Sequence, residues 1–448
     1  MVRTYPMLRS IATQFTDQLH RQQCHRDKSM RELWRGLTVL RLCGYERLTK
    51  NAEKLYSLGT RVLGARLTHS LLRSTFYHQL VAGEHDNDLE IASARLLTYN
   101  NKLMLCPPME DIDGQIKDAT PEQIIRNTDR NIEYLKMAAD LNRKQPGQLA
   151  VVQFKPTSVF PNELMVKYSN DKEAGGVKLI AAVDECRNYA QMKDPKFSTD
   201  VDELTKFCMA QWMRLGQSAV EHQVPVLVDG ELRSTHYMLH ALTLAMSALC
   251  NGLNDRHTLI YGTYQCYMKD TARYLQRCFE VADEMGFRLG AKCVRGAYLD
   301  RERAIAREQK QPDPTNPTRE ATNATYNSVI ATCLDRMARQ PDTVALFVAT
   351  MNKESVIKAL HKLDALQIPI DAQNLNFGQI YGMCDHISFA LGALGAKTYK
   401  STPWGNVGEW VPYLSRRAAE NHTALQTARN EVPLYKAELW RRMRFAAS

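Results

Sequence analysis

The spacing of apolar residues changes once along the chain, close to residue 100. Before that point, stretches such as RELWRGLTVLRLCG and THSLLRSTFYHQLVAGE place apolar residues three and four positions apart, with glycine near their ends. This pattern predicts helices and no strand. From Asn101 onward, short β-branched apolar runs alternate with long amphipathic stretches, which predicts parallel strands joined by helical crossovers.

The apolar runs are numerous enough to close a barrel. Eight of them predict strands: KLMLCP, QLAVVQFKPT, VPVLVDGE, TLIYGTYQC, RLGAKCVRGAY, VALFVATMN, PIDAQNLNFG and AKTYKSTP. Eight strand and helix units indicate an α/β fold, a (β/α)8 barrel over residues 101–448, preceded by an all-helical region over residues 1–100. We expect a helical insertion at about 161–221 and an exposed loop at 307–326.

Composition narrows the classes of function. Of 448 residues 44% are hydrophobic, and the net charge of +9 arises from basic residues interspersed with 49 acidic ones. The absence of basic runs argues against nucleic-acid binding. The 11 cysteines include no CxxC pair, which favours a reducing compartment and no structural metal.

Neither a membrane span nor a nucleotide-binding loop is predicted. The most apolar stretch, LHALTLAMSALC, contains His240, Thr243 and Ser247 and falls short of the roughly 18 residues that a spanning helix needs. GTRVLGAR has the spacing of a phosphate loop but lacks its Lys-Ser/Thr end, and no GxGxxG follows a strand. The first residues, MVRTYPMLRSIATQFT, fit a mitochondrial transit peptide and an ordinary basic helix start about equally.

Polar side chains close most of the predicted strands. They are Lys155, Asp229, Gln265, Lys292, Arg295, Asn352 and Ser401. Since the working residues of such barrels lie at the carboxyl ends of the strands, this set predicts a polar barrel mouth. For any one of these residues, a solvated strand end is an equally good explanation.

A basic pair follows the last strand. Tyr413, Arg416, Arg417 and Glu420 are spaced to lie along one stripe of a helix, where Glu420 can pair with Arg416. An exposed, ion-paired helix face would explain the spacing. The place of the helix, directly after the last strand, favours instead a carboxylate site over the barrel mouth.

Four segments carry a family resemblance. TYQCYMKD, KCVRGAYLDRER, FGQIYGMCDHIS and PYLSRRAAEN closely resemble, in this order, motifs of the proline dehydrogenase family, and the likeness runs from about Leu149 to the C-terminus. The resemblance implies a distorted TIM-like barrel with the last helix over its mouth, which binds FAD without a Rossmann fold. It also implies oxidation of a cyclic amino acid to its imine by hydride transfer to flavin N5, with a quinone acceptor and peripheral contact with the mitochondrial inner membrane.

The resemblance also assigns roles. Arg416 and Arg417 correspond to the clamp on the substrate carboxylate, and Lys155 to a third cation. Glu420 corresponds to the residue that orients the arginines, Asp229 to a support of the inner layer, and Tyr413 to a pocket wall. The implied flavin contacts are Gln265, Lys292, Arg295, Gly296, Ala297, Tyr298, Thr350, Asn352 and Glu420.

One position bears on the substrate. Proline dehydrogenases typically have tyrosine where this chain has Ser401, in YKSTPWG, whereas hydroxyproline dehydrogenases have serine. A serine leaves room for a ring hydroxyl and can hydrogen-bond to it, so we favour trans-4-hydroxy-L-proline, oxidised to its pyrroline-5-carboxylate imine in the first step of hydroxyproline catabolism. The alternatives are a proline dehydrogenase and a catalytically silent barrel. Met351, where the family usually has histidine, motivates the last of these.

Overall fold

Eight parallel strands close into one barrel in chain order, from β1 to β8, as predicted. The computed structural model describes residues 9–21, 24–107, 120–174, 178–190, 201–420 and 426–446. The strands are β1 Asn101–Cys106, β2 Val151–Phe154, β3 Val226–Val228, β4 Ile260–Gln265, β5 Leu289–Val294, β6 Val344–Ala349, β7 Leu375–Ile380 and β8 Thr398–Pro403. Closure runs through β1 and β8, which pair from Asn101 with Thr398 to Cys106 with Pro403.

Helices connect successive strands, and further helices follow the last strand. They are α7 Pro121–Lys144, α8 Asn162–Ala174, α9 Leu179–Ala190, α10 Val201–His222, α11 His236–Cys250, α12 Thr271–Met285, α13 Leu299–Glu308, α14 Arg319–Arg339, α15 Lys353–Leu366, α16 Asp385–Ala393, α17 Val407–Glu420 and α18 Val432–Ala446. The helical insertion predicted between β2 and β3 contains α8, α9 and α10.

Two predicted boundaries and the predicted place of one helix were wrong. The loop expected at 307–326 ends at Thr318, whose side chain caps α14 by accepting a hydrogen bond from the Ala321 amide. The seventh strand begins at Leu375 and not at Pro369, because turns fill most of the residues between. The helix after β8 is not the last one, since α18 follows it.

The described residues before the barrel form helices and no strand, as predicted. These helices are α1 Ile11–Arg21, α2 Met30–Cys43, α3 Glu46–Lys50, α4 Ala52–Leu72, α5 His78–Leu80 and α6 Asp86–Leu97. Helix α1 packs on the barrel, where the backbone amides of Ile11 and Ala12 donate to the Asp364 carboxylate of α15 at 2.9 and 3.3 Å. A domain boundary at residue 100 therefore stays a prediction.

A buried charge cluster joins the N-terminal region, the barrel and the C-terminal segment. Lys28 Nζ and Lys400 Nζ lie 2.9 and 3.0 Å from the two carboxylate oxygens of Asp385. Glu431 is also fully buried, and its carboxylate accepts a hydrogen bond from the Cys384 amide. These contacts hold the N-terminal region and the C-terminal segment against β8 and α16 of the barrel.

No helix in the described ranges is both long enough and apolar enough to cross a bilayer.

Candidate active site at the carboxyl end of the barrel

The barrel interior has an apolar floor. One side-chain cluster fills it: Met104, Val151, Leu227, Tyr261, Ala345, Phe347 and Tyr399. Because side chains alternate between the two faces of a strand, the residues two positions further along each strand also point inward. On β2, β3 and β8 those positions hold Gln153, Asp229 and Ser401.

Above the floor, polar side chains form a chain of contacts across the barrel. Ser401 Oγ lies 2.8 Å from Gln153 Oε1, and Gln153 Nε2 lies 3.5 Å from Asp229 Oδ1. Asp229 Oδ1 in turn lies 2.7 Å from Lys292 Nζ of β5. The structure therefore brings together three residues predicted separately from strand ends, and links them through a fourth, Gln153, that was not predicted.

Gln153 could have been found in the sequence. It precedes Lys155 by two residues in the run VVQFK, so the period of two that places Lys155 toward the mouth places Gln153 on the same side. A glutamine inside an apolar strand needs hydrogen-bond partners when it is buried, and this requirement was the missed signal.

The Asp229–Lys292 ion pair is well shielded from solvent. The Lys292 side chain is 7% exposed and that of Asp229 is 22% exposed. Each charge would be costly to leave in this position without the other. The pair therefore fixes two charged groups at the mouth in one relative position.

Lys155 lies at the rim, directly after β2. Pro156 follows it and begins a short 3-10 turn, Pro156–Ser158, so the missing proline N–H costs the sheet no hydrogen bond. Lys155 is half-buried and stands two positions beyond Gln153, on the inward side of the strand. Its role as a carboxylate-binding cation stays a prediction.

The predicted flavin residue Gln265 is buried and held at the end of β4. Its Nε2 donates to the Glu231 carbonyl at 2.6 Å and lies 3.1 Å from His236 Nε2. Burial lowers the pKa of His236 to about 4, so this imidazole is neutral near neutral pH. A Cβ on Gly230 would come within 2.9 Å of the Gln265 side chain, so the glycine lets the amide lie against the β3 loop.

Arg295 fixes the loop ends next to this site. Its guanidinium donates to Asn323 Oδ1, Thr350 Oγ1 and Ser355 Oγ at 2.8, 2.7 and 2.9 Å, and lies 4.4 Å from the ring centroid of Tyr326. Among the described residues, three of the five N–H donors of this arginine are engaged by protein, and the other two are available to a ligand. Asn352 likewise has a structural partner, since its side chain caps α15 by accepting from the Ser355 amide.

The segment after β5 is shaped by a glycine. Gly296 has φ +112°, and a Cβ there would overlap the ring of Tyr267 at 1.8 Å. Ala297 and Tyr298 follow in the same half-buried turn, and the Tyr298 hydroxyl lies 3.4 Å from Glu231 Oε2. The Tyr267 hydroxyl is buried with no hydrogen-bond partner in the described part of the chain.

These residues fit the flavin that the resemblance implies. The Lys292 ammonium, the remaining Arg295 N–H groups and the Tyr267 hydroxyl are donors suited to the carbonyl and ring-nitrogen acceptors of an isoalloxazine or to phosphate oxygens, and Gln265 Oε1 is suited to accept from a ring N–H. Met351 offers no such group, and it packs instead with apolar neighbours.

The predicted carboxylate clamp lies only partly within the described structure. Tyr413, Arg416, Arg417 and Glu420 belong to α17, but their side chains lie outside the described residues. The beginning of the helix is anchored by Trp410, which is fully buried and donates from Nε1 to the Trp404 carbonyl at 2.7 Å. Val411 packs in the same apolar cluster. The roles of the four residues stay predictions.

Known proteins share both the sequence pattern and the fold. A family model described as proline dehydrogenase matches residues 114–430. The chain is 34% identical over 432 residues to hydroxyproline dehydrogenase of Homo sapiens, covering 93% of this chain and 91% of that protein. It is 40% identical over 247 residues to mitochondrial proline dehydrogenase 1 of Homo sapiens, covering 55% of this chain and 40% of that protein.

A solved structure has the same fold at low sequence identity. Proline utilization A from Bdellovibrio bacteriovorus, inactivated by N-propargylglycine, superposes with a TM-score of 0.64 at 15% identity. The match covers 92% of this chain and 41% of that one. It supports the barrel architecture alone.

Proposed function

Since the chain belongs to the proline dehydrogenase family and is therefore an oxidoreductase of imino-acid CH–NH donors, we propose that it oxidises trans-4-hydroxy-L-proline with FAD. The product is the corresponding pyrroline-5-carboxylate imine. The similarity to hydroxyproline dehydrogenases over 93% of the chain supports this choice.

The observation that carries the proposal is the place and bonding of Ser401. Its hydroxyl lies inside the mouth, two positions beyond the floor residue Tyr399, and is 2.8 Å from Gln153 Oε1. Because its proton points to Gln153, the Ser401 oxygen keeps lone pairs that accept from a ring hydroxyl. Proline has no such hydroxyl.

The surrounding residues divide the work of substrate placement. Lys155 and the predicted pair Arg416 and Arg417 bind the carboxylate, and Ser401 binds the opposite edge of the ring. Two fixed points set which ring carbon faces the cofactor site. A bound flavin supplies the two-electron oxidation by accepting hydride from the carbon beside the ring nitrogen. The Asp229–Lys292 pair keeps the inner wall of this site rigid.

Two variants of Ser401 test the substrate assignment. Ser401→Tyr fills the space for the ring hydroxyl, so we expect the ratio of kcat/KM for hydroxyproline over proline to fall by about tenfold or more. Ser401→Ala keeps the space and removes the hydrogen bond. It should lower kcat/KM for hydroxyproline by about tenfold and leave that for proline nearly unchanged. If both variants keep the wild-type ratio, Ser401 does not select the substrate.

A proline dehydrogenase is the second candidate. The 40% identity over 247 residues to a mitochondrial proline dehydrogenase supports it. The same kinetic comparison decides, because a wild-type preference for L-proline would favour this alternative.

We also propose a mitochondrial location on the matrix side, with a membrane quinone as electron acceptor. The relative named as mitochondrial supports the location. Reduction of a water-soluble ubiquinone analogue by hydroxyproline in the presence of the purified protein tests the acceptor. A reduced enzyme that transfers no electrons to the analogue would contradict it.

A further inference from the structure

Helix α4 is a hairpin that reverses direction at Gly64. Gly64 has φ 78° and ψ 156°, which lie outside the helical region. The Tyr56 hydroxyl is 3.0 Å from His69 Nε2, although the two residues are 13 positions apart. A straight helix would separate them by about 20 Å. Residues 52–63 and 65–72 therefore run side by side, and the hairpin tip, residues 61–67, is where they turn.

The hairpin tip is apolar and exposed. All seven of its residues are exposed, and Val62, Leu63 and Leu67 have 71%, 52% and 65% of their surface accessible. Leu58 and Leu71 extend the apolar surface along the two arms, with 57% exposure each. Apolar side chains grouped at the end of a protruding element mark an interaction surface.

The charge around the hairpin tip has one sign. The segment from Lys54 to Gly83 contains four lysines and arginines and no aspartate or glutamate. Arg61 and Arg66 lie within the hairpin tip and have no ion-pair partner in the ranges that the structure describes. Arg73, near the base, is paired with Glu84 at 2.5 Å. The exposed leucines are therefore bordered by uncompensated positive charge.

The base of the hairpin is attached to the candidate active site. Tyr56 and Leu72 pack in the apolar cluster that contains Trp410 and Val411 of α17. This is the helix that carries the predicted carboxylate clamp. A surface bound to the hairpin tip would thus lie on the same side of the molecule as this helix.

We propose that the hairpin tip docks the protein on an anionic lipid bilayer, with Val62, Leu63 and Leu67 among the acyl chains and Arg61 and Arg66 at the lipid phosphates. Apolar side chains combined with arginines and no acids are the complement of such a surface. A tip-to-tip contact with a second copy would bring like charges together. The hairpin also gives a role to GTRVLGAR, which has only the spacing of a phosphate loop.

One consequence rests on the proposed function. An enzyme reduced by an imino acid at the barrel mouth must pass electrons to an acceptor, and docking through α4 would hold α17 close to a quinone dissolved in the bilayer. The docking itself does not depend on this consequence and is tested separately.

Flotation with vesicles tests the docking. The purified full-length protein is mixed with vesicles of phosphatidylcholine, with or without about one third phosphatidylglycerol. We expect the wild type to float with the anionic vesicles. Val62→Ser with Leu67→Ser, and separately Arg61→Glu with Arg66→Glu, should each lower its partition coefficient by about tenfold or more.

Matched variants control for hydrophobicity and charge. Leu249→Ser with Leu253→Ser removes two exposed leucines remote in sequence from the hairpin, and Arg273→Glu with Arg339→Glu makes the same change in net charge on exposed residues. Both controls should bind like wild type. The proposal is overturned if wild type does not float, if the controls lose binding equally, or if sedimentation shows a dimer that Val62→Ser with Leu67→Ser dissociates. Reduction of the flavin by an imino acid without vesicles reports on the proposed function separately.

Discussion

At the scale of single residues, the ion pair between Asp229 and Lys292 fixes the relative positions of β3 and β5 side chains at the barrel mouth. Asp229 directly follows β3, and Lys292 lies within β5, so the contact spans strands that are not neighbours. Side chains that meet across a barrel hold its inner wall in one arrangement. When one partner of such an ion pair is removed, the shielded charge that remains lowers the stability of the fold.

A double-mutant cycle measures this interaction. Lys292→Met and Asp229→Asn should each lower the free energy of unfolding by about 3 kcal/mol, because each leaves one charge shielded without its partner. The double variant should be less destabilised than the sum, with a coupling energy of about 1–3 kcal/mol in urea unfolding. The exposed pair Lys144–Glu90 is the control, for which coupling below about 1 kcal/mol is expected. Equal coupling for the two pairs would refute the role of the shielded pair.

At the scale of elements, the C-terminal segment is held against β8 and α16 by buried charges. Glu431 lies just before α18, is completely buried, and has one carboxylate oxygen without a hydrogen-bond partner in the described chain. Burial, and next the charge of Asp385, raise the pKa of Glu431 to about 7, while Lys400 and the hydrogen bond from Cys384 oppose this shift. The folded protein therefore binds this proton more tightly than the unfolded chain does.

The sign of the pH effect follows from the raised pKa. Between the ordinary value of 4.5 and about 7, the folded state keeps a proton that the unfolded chain releases, so stability from this group falls as pH rises. Glu431→Gln should remove this decline. Above pH 7, the free energy of unfolding of the variant should exceed that of wild type by on the order of 3 kcal/mol. Urea unfolding at a series of pH values checks this.

Glu438 provides the control for this measurement. It lies in α18, and its pKa is lowered to about 2, first by hydrogen bonds from Arg441 with burial opposing and then by those from Arg442. It titrates below the range of pH 4.5 to about 7, so Glu438→Gln should still show the fall in the free energy of unfolding across that range. A wild type without any decline between these pH values would contradict the assignment to Glu431.

At the scale of the whole molecule, the sequence predicted what depends on short-range pattern. Each of the eight predicted runs overlaps a strand, because a buried parallel strand is a continuous apolar run that can be recognised without knowing its neighbours. Lys155, Asp229, Gln265, Lys292 and Ser401 lie at or near the carboxyl ends of their strands, where the barrel pattern placed them. Their roles stay predictions.

The missed features depend on residues far apart in the chain. Asp385 binds Lys28 from 357 positions away, and Ser401 meets Gln153 across 248. The reversal of α4 follows from the backbone conformation of a single glycine, Gly64, inside a helical pattern. Periodicity alone does not distinguish such a glycine from one that a continuous helix tolerates. The start of α14 was different, because Thr318 gave a capping signal that the surrounding prolines obscured.

The most direct test of the account is reduction of the enzyme without oxygen. The purified protein is reconstituted with FAD and titrated anaerobically with trans-4-hydroxy-L-proline, and then in a separate sample with L-proline, while the visible flavin absorbance is followed. We predict stoichiometric bleaching by hydroxyproline at concentrations where proline bleaches slowly. A protein that binds no flavin, or a bound flavin that neither imino acid bleaches, would contradict the account.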